Sequence, residues 1–164
     1  QPGTNDRPLP REPSGPETKP FARGSGGRTT LGARRRAREH ALKMLYQADV
    51  AGIGIPAAVT AYWSIEPEPD GDVRRFAELL VEGVATEREA IDELIGGLSH
   101  HWRLERMARV DRNLIRLAVF EMRCCDDVPA KVAINEAIEI AKRYGAQESP
   151  AFVNGILDRV LAGA

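Results

Sequence analysis

Apolar side chains recur at helical intervals from Ala33 to the end of the chain, and the recurrence breaks only where turn-forming residues cluster. Ala37, Ala41, Met44, Leu45 and Ala48 form the first stripe, with the spacing of an amphipathic helix that Gly52 and Gly54 close. Pro56 suits the first turn of a short second helix reaching about Trp63, after which Glu66-Pro67-Glu68-Pro69-Asp70-Gly71 reads as a loop. Asp72 is placed to cap a third helix carrying Val73, Phe76, Leu79, Leu80 and Val84. Thr86 followed by Glu89 matches a capping box, which predicts a fourth helix through Ile91, Leu94 and Ile95 with a weakened end at Gly96-Gly97.

Leu104 to Met107 reads as a single turn, and Val110, Leu114, Ile115, Leu117, Ala118 and Met122 mark a long fifth helix. Pro129 pushes the residue before it out of the helical region, so Asp126-Asp127-Val128-Pro129 ends that pattern. A sixth helix follows from Lys131 to Tyr144, with Ala133, Ala137, Ile140, Ala141 and Tyr144 on one face and Gly145 as its C′ residue. Ser149-Pro150 fits the N-cap and first position of a last helix through Phe152, Val153, Ile156, Leu157 and Val160. No segment alternates apolar and polar residues with the period of two that a half-buried strand requires. The expectation is an all-α fold of about seven helices.

The first 30 residues break with this pattern. They hold six prolines and five glycines but few large apolar side chains beyond Leu9 and Phe21, too little burial to offset the entropy of ordering them. The chain therefore divides into a disordered tail over 1–32 and a helical domain over 33–164.

Charge sharpens the division. The net charge is −1, yet residues 1–38 carry nine basic and three acidic side chains, a charge of +6, against 14 basic and 21 acidic in the remainder, a charge of −7. A basic head on an acidic body points to polyanion contact at one end. The 43 % hydrophobic content includes only 5 % aromatic residues, and Ala, Leu, Ile and Val are the mixture that packs helices closely. No apolar run approaches the length of a transmembrane helix, and the proline-rich start lacks the apolar block of a signal peptide. Cys124 and Cys125 are adjacent and poorly disposed for a disulfide, so reduced thiols and a cytoplasmic location are expected.

Among residues able to do chemistry, Arg34, Arg35, Arg36 and Arg38 stand out, because they fall on the opening turns of a real amphipathic helix. On a helical wheel Arg35 and Arg36 point away from the apolar stripe, while Arg34 and Arg38 flank it. Guanidinium forks suit phosphate oxygens, and a helix N-terminus adds its dipole and free N–H groups. Single-stranded RNA asks for such a basic track plus rings on which bases can stack, for which Tyr46, Tyr144 and Phe152 are candidates, each also a candidate core residue. Duplex DNA would ask for a groove-reading element, and none is visible. His100-His101 has the wrong spacing for two metal ligands on one helical face. Glu136, Glu139, Asp92 and Glu93 read as solvated or ion-pairing. No phosphate loop, HExxH or nucleophile elbow occurs, so neither a catalytic site, a cofactor nor a metal is expected.

Three blocks resemble the NusB family of bacterial transcription antitermination factors. They are Ala33-Arg34-Arg35-Arg36-Ala37-Arg38-Glu39 with Leu45-Tyr46; Asp127 through Glu139 with Ala141-Lys142; and Phe152-Val153-Asn154-Gly155-Ile156-Leu157-Asp158. Val110-Asp111-Arg112 leading into Leu114-Ile115-Arg116 is similar too. The resemblance spans about residues 33–162. It implies two packed three-helix bundles, binding of boxA-type single-stranded RNA together with ribosomal protein S10 (NusE), and entry into an antitermination complex on RNA polymerase that transcribes ribosomal RNA operons. It also implies an RNA-binding role for Arg34, Arg35, Arg36, Arg38, Tyr46 and Phe152, with Glu148 beside that surface and Asp111 on the S10-facing side. The tail has no counterpart in the family pattern, and Pro150-Ala151 stands where a more polar pair would be expected. The competing expectation is a helical protein–protein scaffold whose arginines dock a partner or keep it soluble. Oligomeric state stays open, since apolar helix faces serve a core or a homodimer equally well.

Overall fold

The computed structural model describes residues 30–67, 69–98 and 103–163. The proline-rich tail through residue 29 and the His100-His101 pair lie outside them. The described elements are α1 (Thr30–Ala51), α2 (Ile55–Ile65), α3 (Gly71–Leu98), a 3-10 turn (Leu104–Arg106), α4 (Arg109–Cys124), α5 (Ala130–Tyr144) and α6 (Ser149–Gly163). No strand occurs among the described residues. No helix there is long and apolar enough to cross a membrane.

Two three-helix bundles share one core. α1, α2 and α3 pack together; α4, α5 and α6 pack together; α1 and α3 also lie against α4, and α3 reaches α6. The stripe read from the sequence is the inward face of α1, where Ala37, Ala41, Leu42, Met44, Leu45 and Ala48 are all buried. α4 is the central helix, with every residue from Asn113 to Glu121 buried. Each large aliphatic side chain sealed this way contributes about 1.5–3 kcal/mol, so Leu80, Ile91, Ile95, Leu114, Ile115, Ile140 and Leu157, all fully buried, tie both bundles into one core.

Helix starts and stops follow local chemistry, with four departures from the sequence reading. The expected third and fourth helices are a single 28-residue helix, α3. Thr86 opens no new helix; its hydroxyl donates back to the Glu82 carbonyl at 2.9 Å, a bond that lets the residue sit inside a helix. Asp72 is not the cap of α3, because the first helical N–H bond is accepted by the Asp70 carbonyl; Asp72 instead pairs with Arg75 in the first turn. Gly145 ends α5 in an extended conformation (φ −89°) rather than a left-handed one. Ser149 lies inside α6 and uses its hydroxyl to accept the Ala146 N–H at 2.9 Å, while the Glu148 carbonyl takes the first helical bond, from Phe152. Gly52, at φ +65°, provides the left-handed stop after α1 that other residues resist.

Candidate nucleic-acid interface

The four arginines of α1 end in four different surroundings. Arg38 shares the inward stripe with Leu42 and Leu45, four and seven residues on, and its side chain is 2 % exposed. Glu121 of α4 meets it there, with Arg38 Nε 2.9 and 3.1 Å from the two carboxylate oxygens and Nη2 2.8 Å from Oε1. Burial pushes the Glu121 carboxyl up from its ordinary range, against the pull of Arg38. Arg35 turns toward α5, where Nε and Nη2 donate to Glu136 at 2.7 and 2.9 Å. Glu136 Oε2 is also 3.9 Å from Nη1 of Arg38. Arg34 donates to Asp127 at 2.8 Å, its guanidinium carbon 4.9 Å from the centre of the Phe76 ring. Arg36 is exposed, and no described carboxylate pairs with it.

Magnitudes separate these roles. Removing one partner of a buried ion pair costs about 3–5 kcal/mol, because the other charge is stranded in low dielectric. An exposed pair is worth about 0–1 kcal/mol. Arg38 belongs to the first class and presents no surface to a polynucleotide, so its work is to join α1 to α4. Arg35 is intermediate: its side chain is 42 % exposed while the carboxylate that holds it is 5 % exposed. Arg36 is the exposed one of the four and has no carboxylate partner among the described residues.

The remaining residues named from the sequence are spread over three helices. Tyr46, 40 % exposed, lies on α1 eleven residues beyond Arg35, close to three full turns and so on nearly the same side of the helix, about 16 Å along its axis. Phe152 sits half-buried near the start of α6, and Glu148 is exposed just before that helix. Asp111 is in the first turn of α4, buried, with Oδ1 lacking a hydrogen-bond partner. Nearby, Arg112 donates to Asp49 at 2.6 Å and to the Leu104 carbonyl at 3.1 Å, and Asn113 donates to Asp49 at 3.1 Å. Burial alone would push the Asp49 carboxyl up; the bonds from Arg112 and Asn113 outweigh it and hold it low. These contacts pin the 3-10 turn and the start of α4 to the end of α1.

Sequence reading missed a second cationic group. Lys43, seven residues after Arg36, lies on the same side of α1 about two turns away, with Nζ 5.7 Å from the centre of the Tyr144 ring. Arg143 sits 5.3 Å from that ring and 3.2 Å from both oxygens of Glu39, which also accepts the Tyr144 hydroxyl at 3.3 Å. The signal was present in the seven-residue spacing from Arg36 to Lys43, but the partner ring comes from α5 and periodicity does not announce it.

Around the corner of α1, His40 Nδ1 is hydrogen-bonded to the buried Tyr62 hydroxyl, with Trp63 stacked at a tilt 5.2 Å away. Burial lowers the His40 pKa from its ordinary 6.5; Lys43 and Arg36 push the same way, while Glu66 and Glu39 oppose. A lowered folded pKa means that below about 6.5 protons bind the unfolded chain preferentially, so this stabilisation is complete above that pH and is lost as pH falls toward the folded value. The thermal midpoint is expected to drop between about pH 7.5 and 5.5, and His40→Gln to remove part of that drop. Equal pH slopes for the two proteins would assign the drop to other groups.

Nucleophile and metal chemistry find no support among the described residues. Cys125 is buried and its thiol is pushed up to about 12, chiefly by burial; burial also raises Cys124. Both are therefore free protonated thiols near neutral pH. No group of three or more His, Cys, Asp or Glu side chains there could hold a metal. In the cleft between α3 and the start of α4, Arg116 is matched to Asp92 at 2.7 and 2.9 Å and Arg112 to Asp49.

Fold and surface together define an all-α protein of two interlocked three-helix bundles, led by an arginine-rich helix whose charges are divided between structure and solvent. The family model described as NusB matches residues 35–162. The transcription antitermination protein NusB of Anaeromyxobacter dehalogenans (strain 2CP-1 / ATCC BAA-258) is 55 % identical over 130 residues, 79 % of this chain and 91 % of the relative. Among solved structures, T. maritima NusB superposes with a TM-score of 0.72 at 37 % identity, covering 79 % of this chain and 90 % of that one. A structure of antitermination factors NusB and NusE in complex with double-stranded RNA shares the fold, with a TM-score of 0.74 at 24 % identity over 81 % of this chain and 98 % of that one. The chain belongs to the NusB family, a family of transcription antitermination proteins and not of enzymes.

Proposed function

We propose that this protein binds boxA-type single-stranded RNA together with ribosomal protein S10 (NusE), in the cytoplasm, and so supports processive transcription of ribosomal RNA operons within an antitermination complex on RNA polymerase. The observation that carries the reading is the exposed Arg36, with no carboxylate partner among the described residues, beside the half-exposed Arg35 at the leading end of α1, continued by Lys43 along the same helix. Phosphate contacts of this kind position a strand without reading it, so sequence preference falls to ring contacts from Tyr46 and Phe152, with Glu148 alongside, and to the partner. What supports a protein partner is the exposed apolar side chains Tyr46 and Val50 on the later turns of α1, with Ile53 just beyond that helix, and the unsatisfied Oδ1 of Asp111 on α4. The structure of NusB and NusE with double-stranded RNA, a relative in fold, holds the same two kinds of partner, an RNA and a protein, with the RNA there a duplex.

A titration of the full chain with a boxA-like RNA and a scrambled RNA, each with and without S10, tests the reading. The boxA-like strand is expected to bind more tightly, and more tightly still with S10 present. Arg36→Ala should weaken it roughly tenfold and lower the salt slope by about 0.7, one single-strand phosphate contact, with thermal stability unchanged. The pairing of Arg34, Arg35 and Arg38 inside the fold favours a second reading, a protein scaffold whose arginines are structural. A scaffold would give no RNA-dependent shift with either strand.

A further inference from the structure

Glu136 of α5 stands between two arginines of α1 that do different work. Arg38 is sealed in the core with Glu121, and Arg35 reaches the surface. The Glu136 carboxylate, itself buried, occupies the Nε and Nη2 edge of Arg35 through two hydrogen bonds at 2.7 and 2.9 Å, and approaches Arg38 Nη1 at 3.9 Å on its other side. Of the five N–H donors of a guanidinium, three then remain on Arg35 for an outside ligand, in an orientation fixed by the two that are spent.

Two outcomes are conceivable when a phosphate arrives. Glu136 could be a competitor from which RNA must pull Arg35 away, or a clamp that holds Arg35 ready. Releasing Arg35 would leave a buried carboxylate facing Arg38 alone, at a distance too long for a hydrogen bond, while the new phosphate contact would form at the surface where charges are screened. The exchange is unfavourable, so the clamp wins. We infer that Glu136 is a positioning residue for phosphate recognition: it fixes Arg35 as a rigid prong beside the exposed Arg36. This rests on the RNA reading above. The rotamer freedom of a long side chain, which a surface arginine gives up on binding, is given up here on folding.

The test is a double-mutant cycle on the full chain with a boxA-like RNA, measuring dissociation constants across a salt series alongside thermal melts. Glu136→Gln removes a negative charge from the binding face, which on electrostatics alone would tighten binding. Positioning demands the opposite, a loss of about three- to tenfold, the scale of one side chain released from its constraint. The salt slope should not change, since no phosphate contact is lost. In an Arg35→Ala background the same substitution should have no further effect, and Glu136→Asp should restore part of the affinity. Tighter binding by Glu136→Gln, or an equal loss with and without Arg35, overturns the inference. Should Glu136→Gln fail to fold, Arg35→Lys keeps the charge but not the fork, and affinity equal to wild type would overturn the inference as surely. Failure of the wild-type protein to bind RNA sinks the RNA reading itself; a binding protein indifferent to Glu136 sinks only the clamp.

Discussion

Arg38→Ala is expected to cost about 3–5 kcal/mol of folding stability, seen as a lower urea midpoint with little change in slope. The size follows from what remains. Glu121 is 1 % exposed, and the guanidinium fork hydrogen-bonded to it is Arg38, which also faces Glu136 at 3.9 Å. Without that arginine two carboxylates from α4 and α5 look into a space where Ala offers neither charge nor hydrogen bond. Burial already pushes the Glu121 carboxyl up despite Arg38; without its partner the group would take up a proton or draw in water, and either weakens the seam between the bundles. Replacing the pair together, Arg38→Met with Glu121→Leu, should recover much of the loss, because two apolar side chains leave no stranded charge between them. A loss below about 1 kcal/mol for the single variant would mean that the pair behaves like an exposed one. The contrast with Arg36 is diagnostic: Arg36→Ala should change RNA affinity without changing stability, and Arg38→Ala the reverse until the fold gives way.

Gly145→Ala is the second large effect, about 1–3 kcal/mol, measured as a lower thermal midpoint. The cause is crowding and not backbone conformation, since φ −89° is open to any residue. An added Cβ would lie 2.5 Å from Ser149 Cβ, 2.6 Å from its hydroxyl and 2.9 Å from the Ala141 carbonyl oxygen. None of these can yield cheaply. Ser149 is buried with its hydroxyl committed to the Ala146 N–H, and Ala141 belongs to the last turn of α5. The connection between α5 and α6 would have to widen, and it sets the place of Glu148 and Phe152. An unchanged melting midpoint would show that the turn rearranges without strain.

Much of this was legible in the sequence, because α1, α4, α5 and α6 each carry an apolar stripe long enough to fix type and approximate ends. The capping box at Thr86 misled for a specific reason. It is a local pattern, and the choice between opening a helix and riding inside one was decided by packing along the whole of α3, with Val81, Val84, Ile91 and Ile95 all buried on one face. The arginine motif was found, but its division of labour was not. A helical wheel puts Arg34 and Arg38 at the flanks of the stripe without saying that a flank lies in a seam. That depends on Glu121, 83 residues away, and on Asp127, 93 residues away. Lys43 and Arg143 escaped for the same reason, since their shared ring, Tyr144, adjoins α1 only after α5 folds back. The signal within reach was Glu121 itself, an acid directly after the apolar run Leu117 to Phe120 on the same helix, where a buried counter-charge is called for.

The continuity of α3 has a bearing on how any ligand must approach. A rod of 28 residues, about 42 Å long, runs from the α1–α2 side of the molecule to the end of α6, where Arg159 donates to the carbonyl of Leu98, the last residue of α3, at 3.2 Å. No joint interrupts it at Thr86, so the distance from the leading end of α1 to the far end of α6 behaves as a fixed gauge rather than a jaw. Any partner that touches both ends has to match that spacing, because the rod does not shorten to meet it.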